Sequence, residues 1–297
     1  MIMAEFRFLD VLKRETPPLV HGREPYWRPV AAPVSARVTE PAWSYRREVT
    51  PHVDGPLRPR DHVVTIDATA AYVSAISTVE VAHGPLRTTG LREYDSRHVG
   101  LWRIETPTWN DARLFSPLGT AHHPSTITVT TPTMRLLAQV ADQGYMSLPK
   151  IVDSWTSTTS CRLRAWSVRI AAARRAALVD PSYAGEYEDV KTAYSQAVVL
   201  LGVKDKSPIY RPDWAQFIRA QHAANMWRKM WACTLTCGPI LGAGTVDEIS
   251  ITRRTMGIMD DMRERGMRPP IMIESHTTDR LGTFTVKREC TARGWTA

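Results

Sequence analysis

Asp67, Asp247 and a run of arginines are the residues of this chain whose types and spacing could do chemistry. Asp67 closes an apolar run, Val63, Val64 and Ile66, that reads as a buried strand, so a carboxylate stands at a strand end. Asp247 and Glu248 lie between two short apolar runs in residues 240–251, the pattern of a hairpin with both acids near its tip. Between these acids in sequence, residues 161–179 carry Arg162, Arg164, Arg169, Arg174 and Arg175 without one acid. A solvated helix would interleave glutamates, so this one is read as anion-binding. Facing carboxylates hold hard divalent cations and positive side chains hold a triphosphate; phosphoryl transfer needs both.

The elements that must position these groups follow from the pattern of the chain. After Asp67, the small residues Ala68, Thr69, Ala70 and Ala71 let the chain turn into a helix, with Tyr72 about a turn beyond the acid. Residues 98–105 alternate like a half-buried strand, and 127–130 begin another. Residues 131–144 have Pro132 at a helix start and Gly144 at its stop. Helices over 161–179 and 186–202, broken at 181–185, predict an antiparallel hairpin with basic inner faces, the second helix carrying Lys191, Tyr194 and Ser195. A long helix opens at Pro212 with Asp213 as cap and ends at Gly238. Phe217, Ala220, Ala224, Trp227 and Trp231 make its buried stripe, with Arg219, His222, Arg228 and Lys229 on the other faces. Residues 271–274 and 281–289 read as late strands. The fold class is α+β.

Composition narrows the classes. With 38 Lys and Arg against 30 Asp and Glu in 297 residues, the net charge of +8 leans toward a polyanionic partner. The four cysteines lack metal-ligand spacing, Cys233 and Cys237 read as packing, and a reduced compartment is the simpler expectation. No apolar run approaches a membrane span and no signal-peptide layout is present, so the expectation is a cytoplasmic protein without a membrane partner. Residues 1–60 are rich in Pro and Arg and read as an extended arm, a surface wrap or a nucleic-acid contact. His122 and His123 read as exposed polar residues of a loop.

In their order, these pieces resemble the palm and fingers of a family B DNA polymerase, the group that includes protein-primed replicases of linear phage and plasmid genomes. The family's first motif, D-x-x-S-L-Y-P-S, stands against Asp67-Ala68-Thr69-Ala70-Ala71-Tyr72-Val73-Ser74, matching at Asp, Tyr and the last Ser. The second, K-x-x-x-N-S-x-Y-G, stands against residues 191–199, keeping Lys191 and placing Ser195 where Asn is expected. The third, Y-x-D-T-D-S, aligns its last Asp with Asp247, while Thr245 replaces the first and Glu248 the Ser. The resemblance covers roughly residues 60–290 and is carried by the order and spacing of the motifs.

The resemblance implies a palm of antiparallel sheet backed by helices with a helical-hairpin fingers insertion, divided as 61–155 palm, 156–203 fingers and 204–297 palm after the arm. It implies two Mg²⁺ ions, or Mn²⁺, held by Asp67 and Asp247 with the Ala68 carbonyl completing a shell. Tyr72 would pack beneath the sugar and exclude a 2′-hydroxyl, and Lys191 would touch the triphosphate of a dNTP. Arg169 and Arg174 are candidates for further phosphate contacts, with Ser195 beside the nucleotide. Template-directed DNA synthesis is the activity implied. Neither an exonuclease domain nor a thumb fits around residues 67–289, and the family's K-x-Y signature is not seen, which implies low processivity or a priming protein or accessory subunit supplying the grip. The competing readings are a non-catalytic DNA-binding or replication-accessory protein on a degenerate palm, and an α+β protein whose likeness is coincidental.

Overall fold

A computed structural model of the chain describes residues 45–46, 61–83, 86–183, 185–202, 211–244 and 247–296. Apart from the backbone of Tyr45–Arg46, the arm over residues 1–60 lies outside the described residues, as do Thr245 and Val246. The chain divides into two compact units, each assembled from separated stretches of sequence.

One unit comprises Ala42–Ala71, Trp109–Ala121 and Asn225–Ala297. Its centre is a six-stranded sheet built from β1 (Tyr45–Arg46), β2 (His62–Ala68), β9 (Ile240–Gly244), β10 (Glu248–Thr252), β11 (Ile273–Glu274) and β12 (Phe284–Thr291), in the order β1-β9-β10-β2-β12-β11. All neighbours are antiparallel except β11, which runs parallel to β12, so the expected antiparallel sheet has one parallel edge. In β2, Val63, Val64 and Ile66 are fully buried, which means that both faces of this strand are covered. Helix α6 (Arg253–Glu264) packs on β10 and β2, and the short α7 (Ala292–Thr296) places Ala292 and Trp295 against Val63 and Leu241. Trp109, Trp227 and Trp231 form an aromatic cluster in the same unit, with Trp227 and Trp231 stacked at 5.4 Å.

The other unit contains Tyr72–Thr108 and His122–Ala224 among its described stretches. Strands β4 (Arg87–Thr88), β5 (Val99–Glu105), β6 (Thr126–Thr130) and β7 (Ile151–Ser157) form an antiparallel sheet in the order β4-β7-β5-β6. Helix α2 (Thr131–Asp142) is fastened to it by the buried Thr131 hydroxyl, which accepts from the Gly100 amide at 2.8 Å and from Trp102 Nε1 at 3.1 Å. Gly100 is required there, since a Cβ would stand 2.1 Å from the Trp155 carbonyl oxygen. A ribbon of β3 (Glu80–Ala82) and β8 (Ser160–Arg162) precedes the helical hairpin of α3 (Arg164–Val179) and α4 (Tyr187–Leu201).

Several expectations are corrected. Cys161 and Arg162 belong to a strand rather than to the helix, because they pair with Val81 and Glu80 across the ribbon. The buried sides of the hairpin are mainly apolar rather than basic, with Trp166, Ile170 and Ala173 from α3 and Val190, Tyr194 and Val198 from α4, although Arg174 of α3 is buried among them. Asp213 does not cap its helix: α5 (Pro212–Thr236) already includes it. Its carboxylate instead takes both Nε and Nη2 of Arg211, at 3.0 and 2.7 Å, in a pair that is almost fully buried. Nor does His222 sit on an outer face; it is 3% exposed, as α5 in this stretch is buried nearly all round.

Candidate active site

Asp67 is the penultimate residue of β2, a central strand whose neighbours are β10 and β12. The register sets Asp67 opposite Glu248 on one side and Thr285 on the other, so these side chains share one face, with Cβ atoms of direct neighbours about 5 Å apart. Thr65, two residues earlier and thus on the same face, hydrogen-bonds Ser250 Oγ at 3.0 Å and accepts from Arg288 Nε at 3.4 Å. A polar row therefore underlies the acids on an otherwise apolar strand.

Asp247 stands immediately before β10, in the turn of the β9–β10 hairpin. The Ala68 amide donates to the Asp247 carbonyl at 2.9 Å, which brings the backbones on either side of the two aspartates together at one end of the sheet. The turn after Asp67 is fixed from the other side, where the Thr69 amide donates to the Thr283 carbonyl at 2.8 Å and the Gly282 amide to the Thr69 carbonyl at 3.4 Å. Ala70 completes this turn with φ of 50°, a left-handed conformation that costs a non-glycine residue about 1 kcal/mol or more. The small-residue run thus does turn the chain tightly, into α1 (Ala71–Thr78), at the cost of one strained alanine.

Lys287 is the residue that sequence reasoning missed. A register shift between Val286 and Arg288 makes it the extra residue of a bulge in β12, and its ammonium forms an ion pair with Glu248. That hydrogen bond, followed by the charges of Glu248, Asp67 and Asp247, pushes the Lys287 pKa up. Glu248 thus contacts this amine directly, and Asp67 and Asp247 lie near enough for their charges to be felt there. Nothing in the alternation of residues 281–289 marks this lysine; only the pairing register and the bulge reveal it. Among the described residues, no three His, Cys, Asp or Glu side chains stand together as a metal-ligand set; Glu248 is turned to Lys287. Cys233 and Cys237 are free and buried in the core, where Cys237 lies 3.7 Å from Met262 sulfur.

The remaining candidates lie in the other unit. Tyr72, in the first turn of α1, is half-buried and meets the ring of the buried His222 edge-on at 5.6 Å. Lys191 and Ser195 share one face of α4, one turn apart, with Lys191 exposed and 3.7 Å from Glu188. Arg169 is exposed on α3. Arg174 is not: it is fully buried, its guanidinium 5.7 Å from the centre of the Tyr187 ring, and none of its three side-chain nitrogens has a hydrogen-bond partner among the described residues. In this conformation it presents no cation to solvent. The structure thus brings Asp67, Ala68 and Asp247 together in one unit and Lys191 with Ser195 in the other.

No family model matches the chain, and no curated protein matches it. Solved structures do. The chain is similar in fold to Phi29 DNA polymerase complexed with primer-template DNA, with a TM-score of 0.57 at 10% identity over 85% of this chain and 46% of that one. Against the ternary complex of the same polymerase with primer-template DNA and incoming nucleotide substrates, the TM-score is 0.53 at 11% identity, again over 85% and 46%. Against its orthorhombic crystal form, the values are 0.54 and 10%, over 86% and 47%. The fold is therefore polymerase-like, and the chain spans about half the length of the structures it matches.

Proposed function

We propose that this chain carries out template-directed DNA nucleotidyl transfer, with Asp67 and Asp247 holding two divalent cations. The observation behind this reading is that the Asp67–Glu248 register and the Ala68 amide bonded to the Asp247 carbonyl bring these acids to one end of the central strands, with Lys287 paired to Glu248 beside them. One ammonium against three carboxylates leaves an excess of negative charge that hard, oxygen-seeking cations such as Mg²⁺ or Mn²⁺ suit. The Ala68 carbonyl would complete a shell. Such cations lower the pKa of an attacking hydroxyl and neutralise the charge on the pyrophosphate leaving group.

The residues of the chain supply positioning. A primer 3′-hydroxyl, or a hydroxyl of a priming protein, would attack the α-phosphate of a dNTP. On this reading the six-stranded sheet is the palm and α3–α4 the fingers, within the divisions 61–155, 156–203 and 204–297. Tyr72 sets the sugar preference, and Lys191 and Arg169 hold the triphosphate with Ser195 nearby. Support for DNA and dNTPs as partners comes from the similar Phi29 structures, which are complexes with primer-template DNA and, in one, incoming nucleotide substrates.

A second reading, a non-catalytic DNA-binding or accessory scaffold, draws on the same lysine. The Glu248–Lys287 pair already places a positive charge beside the acids, as a protein that no longer binds cations would. Incorporation of labelled dNTP on primed DNA with Mg²⁺ or Mn²⁺ separates the two. The proposal expects incorporation by the wild type and its loss in Asp67→Ala and Asp247→Ala. Equal signals from wild type and both variants would sink it.

A further inference from the structure

We propose that the recess between the end of α6 and residues 280–283 is a nucleoside phosphate site, built from residues other than the acid cluster. The recess is a cavity of about 600 Å³ in which Lys229, Arg263, Arg268 and Arg280 all take part, and among the described residues no acid lines it. That volume falls within the range of roughly 300–1,000 Å³ usual for small-molecule pockets.

Its cations are arranged by depth. Lys229, half-buried, reaches in from α5, donates to the Gly282 carbonyl and lies 4.8 Å from the centre of the Phe284 ring. Burial, and then the charge of Arg268, push its pKa down to about 8. Arg268 is exposed at the rim and has no acidic partner within ion-pair distance among the described residues. Arg263 donates to the Ile273 carbonyl at 3.1 Å and pairs with no acid among the described residues, while Arg280 leans to an acid, Glu274, at 3.4 Å. Like charges crowded into one concavity repel each other and focus a positive field that only an anion relieves. A phosphate chain is the anion whose several charges match this count.

The walls narrow the choice of ligand. Pro269, Pro270, Met272 and Leu281 line the recess with apolar surface suited to a base or sugar. A half-buried amine inside such walls is reached by a slim phosphate chain more readily than by the broad backbone of a nucleic-acid strand. The pocket also touches the turn beyond Asp67, since Gly282 and Thr283, which line it, make the two backbone hydrogen bonds to Thr69.

Isothermal titration of the full chain with dATP in EDTA tests this, because chelation silences any cation-dependent binding at the aspartates. Saturable binding is expected, weakened at least tenfold by Arg268→Glu alone and further by Arg268→Glu/Arg280→Glu, and retained in Asp67→Ala/Asp247→Ala. Absence of dATP binding, equal affinity in wild type and pocket variants, or loss in the aspartate variant overturns the proposal. So does a single-stranded oligonucleotide whose binding depends on these arginines while that of dATP does not. The assay reads metal-free binding rather than incorporation, so its failure leaves the two-cation reading standing, and the reverse also holds.

Discussion

Replacing Asp213 by Asn distinguishes a helix cap from a buried ion pair. Asn caps helices about as well as Asp, so a capping role predicts almost no change. The structure predicts a large one. Arg211 is 1% exposed and Asp213 4%, the two are joined by hydrogen bonds of 3.0 and 2.7 Å, and the guanidinium lies 4.2 Å from the Trp214 ring centre while donating to the Ala82 carbonyl at 2.9 Å. An asparagine would leave the guanidinium charge buried without its counter-charge and turn an amide N–H toward its donors. Breaking such a pair from one side costs roughly 3–5 kcal/mol. At about 2–4 °C per kcal/mol for a unit of this size, the melting midpoint should fall by roughly 6–20 °C. Calorimetry, with tryptophan fluorescence as a second probe of unfolding, measures it. A fall of under about 2 °C would refute the reasoning. The double variant Arg211→Met/Asp213→Leu, which removes both charges together, should recover most of the loss.

Other substitutions probe separate features. Arg174→Met keeps the apolar stem and removes three unpartnered nitrogens, so it should be neutral or stabilising by about 1–4 kcal/mol in urea unfolding; a clear loss would mean the guanidinium has a partner in solution. Ala70→Gly relieves a φ of 50° and should stabilise by up to about 1 kcal/mol, visible as a higher urea midpoint at unchanged slope. Burial of Glu80 works to raise its pKa, but hydrogen bonds from Ser160 and Arg135 prevail and hold it below the ordinary 4.5. A depressed carboxylate contributes stability that is complete above 4.5 and lost as the pH falls through its folded value, so the stability curves of wild type and Glu80→Gln should converge in acid. Curves that stay parallel from neutral pH down to about pH 3 would contradict this.

What the sequence disclosed depended on whether the signal was local. The strand ending at Asp67, the helix stop at Gly144 and the hairpin carrying Asp247 are written in runs of adjacent residues, and the structure has all three. The strands β7 and β8 and the helix α6 carry no legible apolar run, since Ser, Thr and Arg in them dilute the pattern that partners supply from elsewhere. The acid-free run of arginines reads as anion-binding, which the exposure of Arg169 permits but the burial of Arg174 does not, because burial of a long side chain is decided by the neighbouring helix and not by its own. Asp213 was read as a cap because Asp at a helix start usually is one, while Arg211 two residues earlier gives no sequence sign of turning inward. The acids of the candidate site were legible as types at strand ends; Lys287 and the basic recess arise from register and loop packing, which no run of residues spells out.

The pairing of β2 sets a timetable for the site. Asp67 lies on a strand flanked entirely by strands made much later, so that Thr65 meets Ser250 across 185 residues and Arg288 across 223. Each of those contacts closes a long loop, which delays them relative to the local helices and places this sheet among the slow steps of folding. On the ribosome, β2 emerges as an apolar strand with both edges unpaired and stays so until β10 and then β12 follow it. The acid cluster is thus a late product of synthesis, and chains interrupted before residue 284 would carry Asp67 on an edge open to other chains.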